Sequence, residues 1–596
     1  YTLRNTGGDA MPVTLATRIL DPQGKVVGTA KTEVVVGQNG RVDPSSTSFI
    51  NTPQPVHTLQ AVKVPNPQRW SVDSPVMYTA VTDVICPKGC LFDSYRTPIG
   101  IRDFKFDPNS GFSLNGENMK LKGVCLHGDA GGLGVAVPQQ VWERRLRILK
   151  EAGVNAIRCS HNPPSPEFLD LCDKLGFVVM DEAFDEWGDD QGGGGKKKWI
   201  DSWSGTKFST DGYHSDFAKW ADTDLRDMVL RDRNHPSIIM WSIGNEIDYE
   251  NDPYPHNSEV LAAIAPRLID DVHALDKTRP VTAACSFVRY NTWYPKLDII
   301  GYNYQESYYD ADHARMPDRV IFGSENDMKS LDAWLAVKDK PFISAQFLWT
   351  GIDYNGEAGR PAPNKAWPER SRPDGFLDLA GFKKPAFYYR QSLWTDTPMI
   401  RIDANMPKEL ADKTLAVPPG LACYTNCDSV VVYQNGKSLG QSQVPPNHTV
   451  AISGEGSPFN ADPAQGPIRA VGMMKGVPLV EDTFRQSGPA THMMLTGYKS
   501  LFGPGDGPNV AQIELALLDL NGTVARDAAN EITVKIDGPG KILAMESGDV
   551  NSHENYQDDH QKAFHGRLLL YLETHGTVYV TTRSPGLPEG RIRVGG

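Results

Sequence analysis

Long apolar runs are missing from this 596-residue chain. No stretch approaches the roughly 18 uninterrupted apolar residues that a bilayer-spanning helix needs, which excludes such a span. Cysteine is scarce: 8 in the whole chain are too few for a disulfide scaffold. Cys125, Cys159 and Cys172 lie in apolar runs and read as small core residues. Cys86/Cys90 and Cys423/Cys427 are CxxxC pairs, but tetrahedral zinc needs two more ligands at suitable spacing and none is present, so they read as structural cysteines without metal. Basic charge is short as well. Lys and Arg number 60 against 73 Asp and Glu, a net charge of −13 that repels a phosphate backbone and excludes nucleic acid as a partner. The Lys run at Lys196 to Lys198, after four glycines, reads as a solvated loop. A basic n-region with an apolar h-region is absent too, and Tyr1 to Asn5 alternate like the middle of a strand, which leads to the expectation that something upstream is missing.

Apolar material is plentiful, at 40% of residues with 12 Trp, 21 Tyr and 21 Phe, and the length predicts several domains. Residues 1–102 alternate polar and apolar positions in short runs such as Val13 to Ile19, broken by turns such as Asp21-Pro22-Gln23-Gly24, the pattern of a β-sandwich. Over 103–398 the pattern changes. Eight short apolar runs begin at Leu121, Asn155, Phe177, Ser237, Val281, Leu297, Arg319 and Pro341, and between them lie segments with a period near 3.6, such as Trp142, Leu146 and Leu149. Eight strand-helix repeats predict a (β/α)8 TIM barrel. After about residue 398 helical periodicity disappears and strand-like runs return; the turn-rich stretch 486–505 divides them into two β-sandwiches, 399–490 and 491–596. The predicted class is a TIM barrel flanked by immunoglobulin-like β-sandwiches.

A barrel enzyme builds its site at the C-terminal ends of the strands. Those ends read His127-Gly128-Asp129, Ser160-His161-Asn162-Pro163, Asp181-Glu182-Ala183-Phe184-Asp185-Glu186-Trp187, Gly244-Asn245-Glu246, Tyr302-Asn303-Tyr304, Gly323-Ser324-Glu325 and Phe347-Leu348-Trp349. Acids on strands four and seven face each other across a barrel mouth, and two carboxyls flanking one bond are what glycoside hydrolysis requires. One must hold a proton for the leaving oxygen and the other must attack ionised, so their surroundings must split their pKa values. Trp241 and Trp349 are candidate apolar walls, and Tyr304 a donor to a carboxylate. Taken singly, Glu182, Glu186 and Glu306 read more simply as loop or ion-pair residues.

Trp241-Ser-Ile-Gly-Asn-Glu246 with the later Ser324-Glu325, Asn234-His-Pro-Ser237, Arg158-Cys-Ser-His-Asn-Pro163, Trp349-Thr-Gly-Ile-Asp-Tyr354 and Gly375 to Phe382 resemble glycoside hydrolase family 2, whose members include β-galactosidases, β-glucuronidases and β-mannosidases. The resemblance covers almost the whole chain. It implies a retaining mechanism with Glu246 as acid/base, Glu325 as nucleophile, Tyr304 orienting the nucleophile and Asn245 on the sugar 2-hydroxyl. His127, His161, Asp185, Trp187 and Trp349 fall where the family lines the pocket for the terminal sugar.

Family members usually carry a jelly-roll domain ahead of the first sandwich, and a start at Tyr1 leads to the expectation of a fragment, or of one part of a split or processed protein. The runs 181–185, 245–248 and 302–306 look most like the β-galactosidase branch, which makes terminal β-linked galactose of an oligo- or polysaccharide the expected substrate, released exo-wise. A β-glucuronidase or another β-glycosidase of the family is the alternative: the family holds a uronate with an Asn-x-Lys pair, whereas Asn364 and Lys365 are adjacent here. Lys196 to Lys198 and Arg360 are candidates for an outer subsite for sulfated substrates. A non-catalytic carbohydrate-binding protein is a further alternative, although both carboxylates are present. No metal or other cofactor is expected, because the strand ends offer no cluster of His ligands, and none ends on a Lys suited to Schiff-base chemistry. Self-association stays open, and family analogy favours a secreted or periplasmic setting.

Overall fold

The computed structural model describes residues 1–5, 10–37, 55–188, 212–247, 259–289, 292–328, 330–356, 371–404, 420–454 and 456–595. Eight parallel strands close into a barrel: β1 Leu121–Leu126, β2 Ala156–Cys159, β3 Val178–Glu182, β4 Ile238–Asn245, β5 Val281–Cys285, β6 Ile300–Asn303, β7 Ile321–Asp327 and β8 Ile343–Trp349. Between them run helices α1 Gln139–Glu151, α2 Pro166–Leu175, α3 His214–Asp232, α4 Glu259–Leu275, α5 Tyr309–Arg315 and α6 Leu331–Lys338, with α7 Pro385–Trp394 after β8. The start of α2 follows from its sequence: Ser165 accepts a hydrogen bond from the Phe168 amide, Pro166 takes the first turn, and left-handed Gly176 ends the helix.

Each barrel strand feeds two cores because alternate side chains face opposite ways. Ile157, Val179, Trp241 and Ile243 pack outward against Leu146, Phe168 and Leu225 of the helices, while Cys125, Met180, Met240 and Phe347 fill the interior. Gly123 on β1 admits the Phe347 ring, since a Cβ there would lie 2.3 Å from it. Below the barrel, a three-stranded sheet of Phe104–Asp107, Gly111–Leu114 and Glu117–Met119 sends Phe112 and Leu114 up into the same interior.

The first sheet orders its strands Val26–Val36, Met11–Leu20, Tyr78–Ile85 and Leu91–Ile99, all antiparallel. A Cys86–Cys90 disulfide closes the turn between the last two, so this CxxxC pair is a covalent crosslink. Cys423 and Cys427 are free and buried. After α7, a sheet of Ile400–Ala404, Leu421–Thr425 and Thr449–Ala451 and a four-stranded sheet begun by Ser429–Gln434 share a core around Ile402, Cys423 and Val432. Two four-stranded antiparallel sheets make the last sandwich. One of them sits on the barrel: Glu143 of α1 accepts from the Leu501 amide (2.7 Å), and Gln140 accepts from the Val510 amide (2.6 Å).

Candidate active site

Pairing between the barrel strands is irregular at several points, some of them toward the C-terminal ends. The register shifts on β4 between Ser242 and Asn245, on β6 between Tyr302 and Asn303, and on β7 between Ile321 and Gly323 and again between Gly323 and Asn326. A bulge re-aims the side chains beyond it. Asn245, Asn303 and Glu325 stand at or beyond these bulges and all enter the mouth. Trp241, before the β4 bulge, points outward instead, and its indole N–H donates to Asp276 at 3.0 Å. It is therefore no wall of the mouth, contrary to the expectation from its place on the strand. Alternation separates neighbours on β3 in the same way: Glu182 turns inward, while Asp181 is buried beside Asp232, which together with burial pushes its carboxyl far above the usual range.

Arg158 of β2 is the hub of the mouth. Fully buried, it donates to both oxygens of Glu182 (3.0 Å each), to Glu325 (2.8 Å), to the Asn245 side-chain oxygen (2.8 Å) and to the Ser324 carbonyl (3.0 Å). Burial opposes its charge, but Glu182 and Glu325 hold the guanidinium well above its ordinary value. Glu325 receives a second hydrogen bond from the Tyr304 hydroxyl at 2.8 Å. Burial raises the Glu325 carboxyl above its ordinary value, and Arg158 opposes that shift. Tyr304 is 47% exposed as a residue, yet its hydroxyl lies inside the mouth, where burial and the Glu325 charge push it up.

Glu246 meets one donor among the described residues, the Asn303 amide at 3.1 Å. Glu246 and Tyr304 share a costly backbone, with φ of +47° and +53°. Such angles suit Gly and Asn, and a Glu and a Tyr hold them only where surrounding contacts compel it. Amides from the two residues bind neighbouring strands, Glu246 N–H to the Ala284 carbonyl and Tyr304 N–H to the Glu325 carbonyl, both at 2.8 Å.

Asn245 accepts from Arg158 and donates to Asp185 at 3.0 Å, with His161 Nε2 3.3 Å away. His161 pairs through Nδ1 with Glu182 at 2.7 Å and stacks on Trp349, centroids 5.4 Å apart. His127 stacks on Tyr354 at 3.6 Å and meets Trp349 edge-on. Burial pushes the His127 imidazole down to about 3, so it is neutral at any ordinary pH, and its Nδ1 has no hydrogen-bond partner among the described residues. Trp187 does not join this wall. It is 2% exposed, its N–H donates to the Ile243 carbonyl, and it packs on Trp293, so it supports the mouth from behind.

Arg158, Glu182 and Asn303 were not singled out as site residues by sequence reasoning, although a buried Arg in a strand followed by His161 was a signal. A charge in an apolar run has to be paired. Lys196 to Lys198, Arg360, Asn364 and Lys365 lie outside the described residues. Among the described residues, the group spaced to ligate a metal is Asp170, Asp173 and His235, at the opposite end of the barrel. There Asp173 already accepts from His235 and from the Ser237 amide.

Family models match three stretches of the chain: the glycosyl hydrolases family 2 TIM barrel domain over 108–366, glycosyl hydrolases family 2 over 1–102, and glycoside hydrolase family 2 C-terminal domain 5 over 504–593. The β-galactosidase BoGH2A of Bacteroides ovatus is 34% identical over 90% of this chain and 68% of its own length. The chain belongs to glycoside hydrolase family 2. A β-glucuronidase of Formosa agariphila is 26% identical over 98% of this chain, which spans only 57% of that relative. Among solved structures, a family 2 member from Bacteroides cellulosilyticus covers 100% of this chain with a TM-score of 0.84 at 30% identity, and the match takes in 75% of that chain. The family makes the chain a glycosidase, with carbohydrate as its substrate.

Proposed function

We propose that the chain is a retaining, exo-acting β-galactosidase that needs no metal, with Glu325 as nucleophile and Glu246 as acid/base. The observation that carries this reading is the unequal treatment of the two carboxyls. Arg158 and Tyr304 fix Glu325 from two sides, as a nucleophile that must stay ionised and aimed requires. Glu246 has the Asn303 amide alone among the described residues, leaving its other oxygen to exchange a proton. The 34% identical β-galactosidase favours galactose over uronate.

In the first step Glu325 attacks the anomeric carbon, the bond to the aglycone breaks, and Glu246 gives its proton to the departing oxygen. In the second, Glu246 takes a proton from water, whose oxygen attacks the anomeric carbon and displaces Glu325, releasing the sugar with its configuration retained. Asn245, oriented by Arg158 and Asp185, offers an amide to the 2-hydroxyl. The stacked pairs His161–Trp349 and His127–Tyr354 form an aromatic corner for the apolar face of the ring.

Incubation with a 2-deoxy-2-fluoro-β-galactoside followed by peptide mapping is expected to find the label on Glu325; label on Glu182 or Glu306 overturns the assignment. On a panel of nitrophenyl glycosides the β-galactoside is expected to be cleaved fastest, with EDTA leaving the rate unchanged. Faster cleavage of the glucuronide replaces the sugar assignment with the uronidase one. No cleavage of any member replaces hydrolysis with binding.

A further inference from the structure

The two sheets of the last sandwich differ in what covers them. One contains Val510–Leu518 and rests on α1 of the barrel, where the Gln512 side chain donates to the Gln140 carbonyl. The other orders its strands His560–Lys562, Glu531–Asp537, Val578–Arg583 and Gly590–Val594, and its outer face is open. Strand alternation puts Lys535 and Asp537, Tyr579 and Arg583, and Arg591 and Arg593 on that face, all exposed. The register lines them up in rows: Asp537 beside Tyr579 beside Arg593, and Lys535 beside Thr581 beside Arg591. Together they line a shallow groove of about 420 Å³.

Charge on this groove runs against that of the whole chain. Four cations meet two carboxylates: Asp537 pairs with Lys535 at 3.2 Å, and Glu589 is shared by Arg583 (2.6 Å) and Arg591 (3.0 Å). Arg593 has no ion pair among the described residues and donates only to the Thr577 hydroxyl at 3.3 Å. A net positive strip on a molecule of charge −13 calls for a local anionic occupant. Tyr579, 55% exposed amid these cations, presents a ring whose face suits the C–H face of a pyranose and whose hydroxyl can hydrogen-bond. Charge and ring together describe a sugar polymer bearing sulfate or carboxylate groups. We infer that this face of the last sandwich is an accessory binding strip for an anionic polysaccharide chain, separate from the barrel mouth.

The test is affinity electrophoresis of the full chain in gels containing dextran sulfate, polygalacturonate or uncharged dextran. Retardation is expected in a charged polymer and not in dextran, weakening as salt is raised. The Arg591→Glu/Arg593→Glu double variant is expected to bind about tenfold more weakly, and Tyr579→Ala a few-fold more weakly with its salt dependence kept. The dextran sulfate and polygalacturonate gels tell sulfate from carboxylate. All these residues are exposed, and melting temperature and nitrophenyl galactoside hydrolysis, which reads the mouth, are expected to be unchanged in the variants. Equal retardation of wild type and double variant, retardation in plain dextran, or stronger binding to phosphatidylserine vesicles than to either charged polymer overturns the inference. Because binding is read without turnover, failure of the galactosidase assignment would leave this result standing.

Discussion

The two ends of the barrel carry comparable polar groups set to different ends. At the bottom, side chains fasten backbone. Arg102 donates to the carbonyls of Pro236 and Ile238, both at 2.6 Å, and Arg279 to those of Ile238, Arg233 and His235. Asp173 accepts from the Ser237 amide and from His235, while Trp70 binds its carbonyl. At the mouth, side chains hold other side chains. Arg158 donates to the side chains of Glu182, Glu325 and Asn245, and the backbones of Glu246 and Tyr304 sit at positive φ. The bottom end spends its polar contacts on stability; the mouth keeps a buried carboxyl and two costly backbone conformations for chemistry, a trade common at functional sites. Substitutions at the mouth should then cost rate, and substitutions at the bottom should cost stability.

The largest expected effect is that of Glu325→Gln. Loss of a nucleophile should lower kcat on the order of 10⁵-fold. The melting temperature should change little, because burial already raises this carboxyl and Arg158 keeps Glu182 as its charged partner. Stopped assays beside calorimetry check both halves, and a large fall in melting temperature with full activity in the surviving fraction would break the contrast. Asp173→Ala comes next, in the opposite sense. It strands the Ser237 amide and His235, at a cost of about 2–4 kcal/mol of stability. In protein that remains folded, kcat/KM for an aryl galactoside should match wild type. Tyr304→Phe returns to the mouth. Removing one donor to a charged carboxylate should cost about 1.5–3 kcal/mol, read as roughly 10- to 150-fold in kcat, with little change in stability.

Much of this division was legible before any coordinates. The barrel followed from eight apolar runs separated by helical periodicity, and β1 and β5 occupy the residues their hydrophobicity marks, Leu121–Leu126 and Val281–Cys285. The last polar residues of the strands escaped periodicity. β7 continues through Ser324, Glu325 and Asn326 to Asp327, because its bulges turn polar side chains into the mouth where a regular ladder would send them elsewhere. The same physics explains the two tryptophans. Trp241 and Trp187 stand near strand ends rich in acids, and whether an indole faces the mouth or the helices depends on register within the barrel, which one strand's sequence does not contain. Arg158 was missed for a related reason: its importance lies in partners from β3, β4 and β7, each far away in sequence.

Two histidines give the finest version of the contrast, and their pH dependences should run in opposite directions. At the bottom, burial pushes His235 down but its hydrogen bond to Asp173 pushes it up, and the net shift is upward. The folded chain therefore holds that proton more tightly than the unfolded one. This contribution is fully present below the unfolded value near 6.5 and is lost as pH rises through the raised folded value. At the mouth, His127 is lowered to about 3 by burial, so below about 6.5 the unfolded chain takes up a proton that the folded chain refuses. Stability is lost there as pH falls, by about 1 kcal/mol at pH 5.5. Melting temperatures at pH 5.5 and pH 8 separate the two. His127→Gln should lessen the loss on acidification, whereas His235→Gln should deepen it, because the acid-side gain goes with the imidazole. Asp173→Asn should act like His235→Gln, since an amide cannot hold the imidazolium. If His127→Gln and His235→Gln shift the acid-side melting temperature in the same direction, the two ends of the barrel do not treat charge differently.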